Sequence, residues 1–240
     1  MQKINKIGVF DSGVGGLTFY KEIKKVTNIP IIYFGDTKRA PYGSKSKEVL
    51  TSHANEIINF LERKDCEAFV AACNTLASNV VFDRQVTELI SYAVQDALKE
   101  TKTGKIGLFA TEATVKSGIF KKLIPNLSLT ACPDFVPLIE SGELDTKNVY
   151  EAVEKYLEKL GDIDTLILGC THYPLIKPVI TKLTNATLIN PAYMAARSFT
   201  KINSENKIDD EFYVSGDTKK FEQFFERIFG YEIEAKQKIF

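Results

Sequence analysis

Four short segments of this chain form two matched pairs, and the match dictates a doubled architecture. Lys6-Ile7-Gly8-Val9-Phe10 is echoed by Lys105-Ile106-Gly107-Leu108-Phe109. Farther along, Phe69-Val70-Ala71-Ala72 ends in Cys73 and continues as Asn74-Thr75, while Leu166-Ile167-Leu168-Gly169 ends in Cys170 and continues as Thr171-His172. The spacing from Lys6 to Cys73 differs by only two residues from that between Lys105 and Cys170. Two similarities in one order and at one spacing predict two halves descended from one unit. Each half offers a thiol at the C-terminal end of a strand to a site between them.

Around these segments, short β-rich runs alternate with helical patterns, the signature of βαβ units on a parallel sheet. In the first half, strands are expected at 6–10, 30–35 and 67–72, and helices at 16–26, 46–63 and 75–87. The helix at 46–63 carries an apolar stripe of Val49, Leu50, Ile57, Phe60 and Leu61, with Ser44 or Ser46 available to cap it. Leu89–Val94 is ambiguous and is taken as a short strand. After Thr103-Gly104 the pattern restarts, with strands at 105–109, 127–131, 163–168 and 187–189 and helices at 112–123, 146–160 and 175–184. Polar residues 203–210 read as a linker, and the tail adds a strand at 212–214, a helix at 218–229 and a strand at 231–235. A tail that packs back on the first half gives the expected division: 1–99 plus 207–240 in one α/β domain, 100–206 in the other.

Basic and acidic residues balance at 31 each, so no nucleic-acid footprint or membrane-surface patch is expected. Apolar runs are strand-sized, too short for a membrane span, and no signal-peptide apolar region follows Lys3 and Lys6. Cytoplasmic residence is therefore expected. The four cysteines, Cys66, Cys73, Cys132 and Cys170, form no Cys-x-x-Cys, and with His53 and His172 they make no zinc set. No metal is expected, and the thiols should be free. Cys66, Cys132 and His53 read as packing residues.

Ligands of a parallel α/β sheet bind beyond the carboxyl ends of its strands. Those ends deliver Asp11-Ser12-Gly13, then Gly35-Asp36 with Pro41-Tyr42-Gly43 close behind, then Cys73-Asn74-Thr75. The second half delivers Thr111 and Thr114, Cys132-Pro133 leading to Glu140, and Cys170-Thr171-His172. Cys73 and Cys170 each precede a polar pair at an expected helix start, where amide dipoles lower a thiol pKa. His172 is close enough to Cys170 to tune it, and Asp11 could instead cap the next helix. The Asp11–Gly16 loop, with Asp36 ending the next strand as a ribose-binding acid would, invites a nucleotide reading. Its glycines at 13, 15 and 16 miss the dinucleotide pattern because position 18 is Thr.

Taken together, Gly8–Gly16 (GVFDSGVGG), Pro41–Gly43 (PYG), Ala72–Thr75 (ACNT), Thr111–Ser117 (TEATVKS), Phe135–Glu140 (FVPLIE), Leu168–Pro174 (LGCTHYP) and Phe212–Asp217 (FYVSGD) resemble the bacterial glutamate racemases of the aspartate/glutamate racemase family. The resemblance spans nearly the whole chain. It implies two pseudo-symmetric, flavodoxin-like parallel-sheet α/β domains with the active site between them, in a homodimer. The implied activity is cofactor-independent racemisation of glutamate, supplying D-glutamate for peptidoglycan. By the same resemblance Cys73 and Cys170 are the catalytic thiols, assisted by Asp11, Glu140 and His172. Substrate binding falls to Asp11, Ser12, Pro41, Tyr42, Gly43, Asn74, Thr75, Thr111, Thr114, Thr171 and His172. The chain departs from the family at Leu76, where a small residue is usual, at Gln95-Asp96 and at Asn190-Pro191, none of which is expected to touch the thiols.

The chemistry agrees with a two-thiol scheme. Inverting an α-carbon requires a proton to leave one face and another to arrive on the opposite face, and a single base tends to restore the starting hand. Only a thiolate serves as the base, so its pKa matters. The carbanion would be stabilised by hydrogen bonds from Ser12, Asn74, Thr75 and Thr171 and nearby amides. Three rivals stand beside this one: an aspartate racemase of the same superfamily, a thiol redox protein using Cys73 and Cys170, and a non-catalytic amino-acid-binding protein.

Overall fold

In the computed structural model, which describes residues 4–200 and 209–240, the doubling is visible as one strand order used twice. The first sheet runs β10-β9-β2-β1-β3-β4 and the second runs β6-β5-β7-β8. Every strand pair in both is parallel. Strands β1 (Ile7–Asp11), β2 (Ile31–Gly35), β3 (Ala68–Ala71) and β4 (Val86–Glu88) thus take the same places as β5 (Ile106–Ala110), β6 (Ser128–Ala131), β7 (Thr165–Gly169) and β8 (Thr187–Ile189). In each sheet the order reverses beside the first strand of the half, and a crevice opens there beyond the strand ends. Asp11 and Cys73 flank one such crevice, Thr111 and Cys170 the other.

The central strands β1, β2, β5 and β7 are buried along their whole length, which is why they read as continuous apolar runs. Strands β9 (Glu211–Val214) and β10 (Ala235–Gln237) extend the first sheet beyond β2, with helix α11 (Thr218–Phe229) between them. The tail therefore does return to the first sheet. Phe212, Phe221 and Phe225 of the tail pack with Tyr20 and Tyr33 of the first half. The described part of the expected linker is Asp209-Asp210; residues 203–208 lie outside the described residues. Asp210 accepts from Tyr20 Oη at 2.7 Å, from Ile31 N at 2.8 Å and from Lys24 Nζ at 3.1 Å.

Several elements differ from the sequence expectation. Leu89–Glu100 is helix α4, and the strand is the three residues before it. Glu88 accepts from Ile90 N and Ser91 N to open the helix, and Leu89, Ile90, Ala93, Val94 and Ala97 form a helical rather than an alternating buried stripe. Although it precedes residue 100, α4 packs with Ile106, Leu108 and Ile167 of the second sheet. The helix expected at 75–87 is only α3 (Asn74–Asn79). The one expected at 112–123 breaks at left-handed Gly118 (φ 70°) into α5 (Glu112–Ser117) and α6 (Ile119–Leu123). Helices α7 (Phe135–Ser141) and α10 (Pro191–Arg197) were not foreseen. Helix α2 (Lys47–Glu62) is capped by Ser46, and Val49 falls outside its buried stripe, 41% exposed. No helix among the described residues is long and apolar enough to cross a membrane.

Candidate functional site

Both cysteines of the doubled motif leave their strands at equivalent points, Cys73 two residues after β3 and Cys170 directly after β7. They are free thiols, 4% and 7% exposed. A chain of side-chain contacts runs between their neighbourhoods. Cys73 Sγ donates to Ser12 Oγ at 3.4 Å, and Ser12 Oγ donates to Asp11 Oδ1 at 3.0 Å. The other carboxylate oxygen of Asp11 accepts from Thr171 Oγ1 at 3.1 Å, which crosses from the first half to the second next to Cys170. Thr18 Oγ1 repeats the crossing, donating to Thr171 O at 2.7 Å. On the far side, Cys170 Sγ lies 3.7 Å from His172 Nδ1, and His172 Nε2 lies 2.9 Å from Glu140 Oε1.

Asp11 does not cap α1 (Leu17–Ile23), which opens with no side-chain cap. Its Oδ1 instead accepts from Gly13 N at 3.0 Å, turning the loop back on the strand end. Gly16 of that loop packs against Asp11 and Tyr33 of its own half, while Gly15 packs closely against the other. A Cβ on Gly15 would overlap Thr171 Oγ1 and His172 Nδ1 and sit 2.6 Å from His172 Cε1. Asp36 is likewise spoken for, accepting from Ser215 Oγ at 2.6 Å, from Arg39 Nε at 2.6 Å and from Tyr42 Oη. The features that suggested a nucleotide are thus consumed by internal contacts.

Glu140 is delivered by α7, whose Phe135 ring packs edge-on against Tyr156 and Tyr173 at centroid distances of 5.1 and 5.0 Å. Tyr173 follows His172 directly, so one aromatic cluster sets both members of the His172–Glu140 pair. Thr75 meets the second half through Thr111, their hydroxyls 3.3 Å apart, and Thr111 Oγ1 in turn donates to Thr114 Oγ1 at 3.1 Å. Thr111 also caps α5. Pro41 follows a cis peptide bond, and Tyr42 and Gly43 start a 3-10 turn, with Gly43 beside Ala113 of α5. Asn74 is 3% exposed, and neither its Oδ1 nor its Nδ2 has a hydrogen-bond partner among the described residues. It shares with Cys170 and Thr171 a narrow gap also lined by Thr18, Leu89 and Pro191.

The electrostatics of the two thiols differ. Burial, and then the negative charge of Asp11, push the Cys73 thiol up to about 12 against the Ser12 hydrogen bond. The expected lowering by the helix start is overridden there, since α3 is only six residues long and the sulfur is buried. Cys170 precedes a 3-10 turn at Tyr173–Ile176, not the helix start expected from sequence. Burial opposes charge on His172, but its contacts with Cys170 and Glu140 outweigh this and lift it to about 10. Burial raises Asp11 above the ordinary carboxylate range, opposed first by the charge of His172. A pair of sulfurs results, one beside an imidazolium and one beside a carboxylate.

Cys66 and Cys132 are buried, and burial raises both thiols. His53 is half-buried on α2 and ring-packed with Tyr42, 5.8 Å between centroids. Among the described residues no group of three or more His, Cys, Asp or Glu side chains is placed to hold a metal ion. The signal sequence reasoning missed is Ser215, in the Phe212–Asp217 motif, whose hydroxyl reaches Asp36.

A family model for Asp/Glu/hydantoin racemases matches residues 7–199. The chain is 38% identical to glutamate racemase 2 of Caldanaerobacter subterraneus subsp. tengcongensis over 95% of this chain and 94% of that protein. Among solved structures, a glutamate racemase isoform from Bacillus anthracis superposes with a TM-score of 0.91 at 34% identity, covering 99% of this chain and 98% of that one. The Francisella tularensis glutamate racemase in complex with D-glutamate gives 0.86 at 32% identity, covering 98% and 97%.

Proposed function

The chain belongs to the Asp/Glu/hydantoin racemase family, and from that premise we propose that it interconverts L- and D-glutamate by two-base proton transfer between Cys73 and Cys170. The observation that carries the proposal is the Cys73–Ser12–Asp11–Thr171 chain of contacts, which joins the two thiol-bearing strand ends across the halves. We assign the thiolate form of one cysteine to removing the α-proton and the thiol of the other to returning a proton on the opposite face. No cofactor enters this scheme.

The two environments suit the two tasks. The His172 imidazolium 3.7 Å from Cys170 Sγ would hold the negative charge on that sulfur when it acts as base. The high pKa of Cys73 keeps its proton in place until a carbanion forms beside it. The resemblance to glutamate racemases implies that Cys170 acts on L-glutamate and Cys73 on D-glutamate, and we place Asp11 and Glu140 as charge-balancing the pair. Asn74, whose amide has no hydrogen-bond partner among the described residues, is assigned to hold the substrate; Ser12, Thr75, Thr111, Thr114, Thr171, Pro41, Tyr42 and Gly43 complete the set. Donors fixed before the reaction stabilise the developing carbanion with no further reorganisation. We further propose that the two halves, 1–99 with 207–240 and 100–206, close on the substrate, with α4 of the first stretch moving with the second sheet on which it packs. The enzyme would work as a cytoplasmic homodimer whose product enters peptidoglycan.

Chiral chromatography with L-glutamate and L-aspartate, without added cofactor and after dialysis against a chelator, tests the assignment. In deuterated water, D-glutamate formed early from L-glutamate should carry deuterium at Cα while the remaining L-glutamate stays largely protiated. Equal early labelling of both pools, or turnover of aspartate alone, refutes it.

A further inference from the structure

Asp36 is buried to 0% exposure at the end of β2, and no step assigned above uses it. Its carboxylate gathers donors from two segments far apart in sequence. Ser215 of the tail donates to Oδ1, while Arg39 Nε and Tyr42 Oη of the following loop donate to Oδ2. The backbone adds to the knot: Asp36 N donates to Asp11 O at 2.9 Å, Lys38 N to Ser215 Oγ at 2.9 Å, and Gly216 N to Thr37 Oγ1 at 3.1 Å. Arg39 continues outward to Glu56 and to His53 Nδ1 on α2. At the other end of the loop, a Cβ on Gly43 would lie 3.7 Å from Ala113 Cβ of α5, within the turn that carries Thr111 and Thr114.

Resting on the racemase assignment, we propose that Asp36 is a positioning residue for substrate capture: it fixes the Pro41–Gly43 loop against the tail so that the loop meets the Thr111–Thr114 turn across the site. A carboxylate suits this place because all three side-chain partners donate and its two oxygens accept from all of them at once. Hydrogen bonds to such a charge are roughly twice as strong as neutral ones, enough to hold a loop in one conformation. The knot joins three parts of the first sheet, β1 through Asp11, β2 through Asp36 and β9 through Ser215. Asp36 is fully buried with both oxygens already accepting, so its influence on substrate passes through Tyr42 and Gly43.

Ser215→Ala removes both the donor to Asp36 and the acceptor of Lys38 N, and the serine is outside the proposed substrate-binding set. Its expected effect is a rise in KM for glutamate of about tenfold with kcat within about twofold, because a misplaced loop weakens ground and transition states alike. Asp36→Asn, which keeps the shape and one acceptor, is expected to move KM in the same direction. A merely structural knot would lower the thermal midpoint and leave KM of the folded enzyme unchanged. Wild-type protein that fails to racemise glutamate defeats the function assignment. A racemising wild type, with Ser215→Ala holding KM within about twofold, defeats this inference whatever happens to the midpoint. Should Asp36→Asn not fold, Ser215→Ala decides alone.

Discussion

Gly15→Ala is the smallest change that should separate activity from folding in this chain. The new methyl group would overlap Thr171 Oγ1 and His172 Nδ1 and lie 2.6 Å from His172 Cε1, where ordinary contact begins at 3.4 Å; Thr171 and His172 must retreat by about 1 Å. Both are buried, so the strain cannot be relieved by swinging a side chain into solvent. Overpacking of this kind costs about 1–3 kcal/mol, and at this chain length each kcal/mol lowers the midpoint by roughly 2–4 °C. The enzyme should remain folded. Thr171 and His172 follow Cys170 directly in sequence, so their retreat displaces the sulfur relative to Cys73. A misplacement near 1 Å costs a proton-transfer site on the order of 100-fold. Racemisation followed by circular dichroism, with calorimetry on the same sample, gives both numbers. A variant that keeps kcat/KM within about threefold of wild type would show that the two halves are not in productive contact at Gly15, and would refute the reasoning.

Other expectations follow from the same site. Cys73→Ser and Cys170→Ser should each lower racemisation by at least about 10³-fold, checked by deuterium exchange at Cα, because a serine hydroxyl is a poor source of the required anion. His172 is lifted from 6.5 to about 10 in the folded state, so its contribution to stability is complete below pH 6.5 and is lost as pH rises toward 10. Urea unfolding at stepped pH should show that decline, and Glu140→Gln should flatten it. Asn74→Leu should raise the thermal midpoint, since leaving buried amide atoms unpaired costs about 1–3 kcal/mol, while lowering kcat/KM at least tenfold. Asp210→Ala removes the acceptor of Tyr20, Lys24 and Ile31 N, and should destabilise by about 2–4 kcal/mol in denaturant titration with KM unchanged.

The alternation of β-rich runs with helical patterns was sufficient to read the parallel sheets, because strands buried on both faces keep continuous apolar runs in sequence. The crevice residues followed, since a parallel sheet exposes only what comes after each strand. Leu89–Val94 was misread because its apolar residues fit a short strand locally, and the cap that makes it helical is a Glu at an unusual position. Helix α7 hid behind Pro137, which sits in its first turn, where the missing N–H costs nothing. Asn190-Pro191, named above as a departure from the family pattern, is a cap and first-turn pair, Asn190 accepting from Ala192 N at 3.1 Å. The upward shift of Cys73 was invisible for a different reason: it depends on burial, which wins over a six-residue helix. Asp36 could not be understood from its neighbours because its partner Ser215 is 179 positions away.

The placement of β9 and β10 also sets an order of events during synthesis. Until residues 211–237 leave the ribosome, β2 presents an open edge, and the first sheet has only its four earlier strands. The second sheet is continuous within residues 106–189 and can form while the chain is still tethered. Translation therefore completes the half it began with last, when Glu211–Val214 zips onto β2 and Ser215 reaches Asp36. A nascent chain halted after Asp210 would already carry both cysteines, yet nothing would hold the Pro41–Gly43 loop from the tail side.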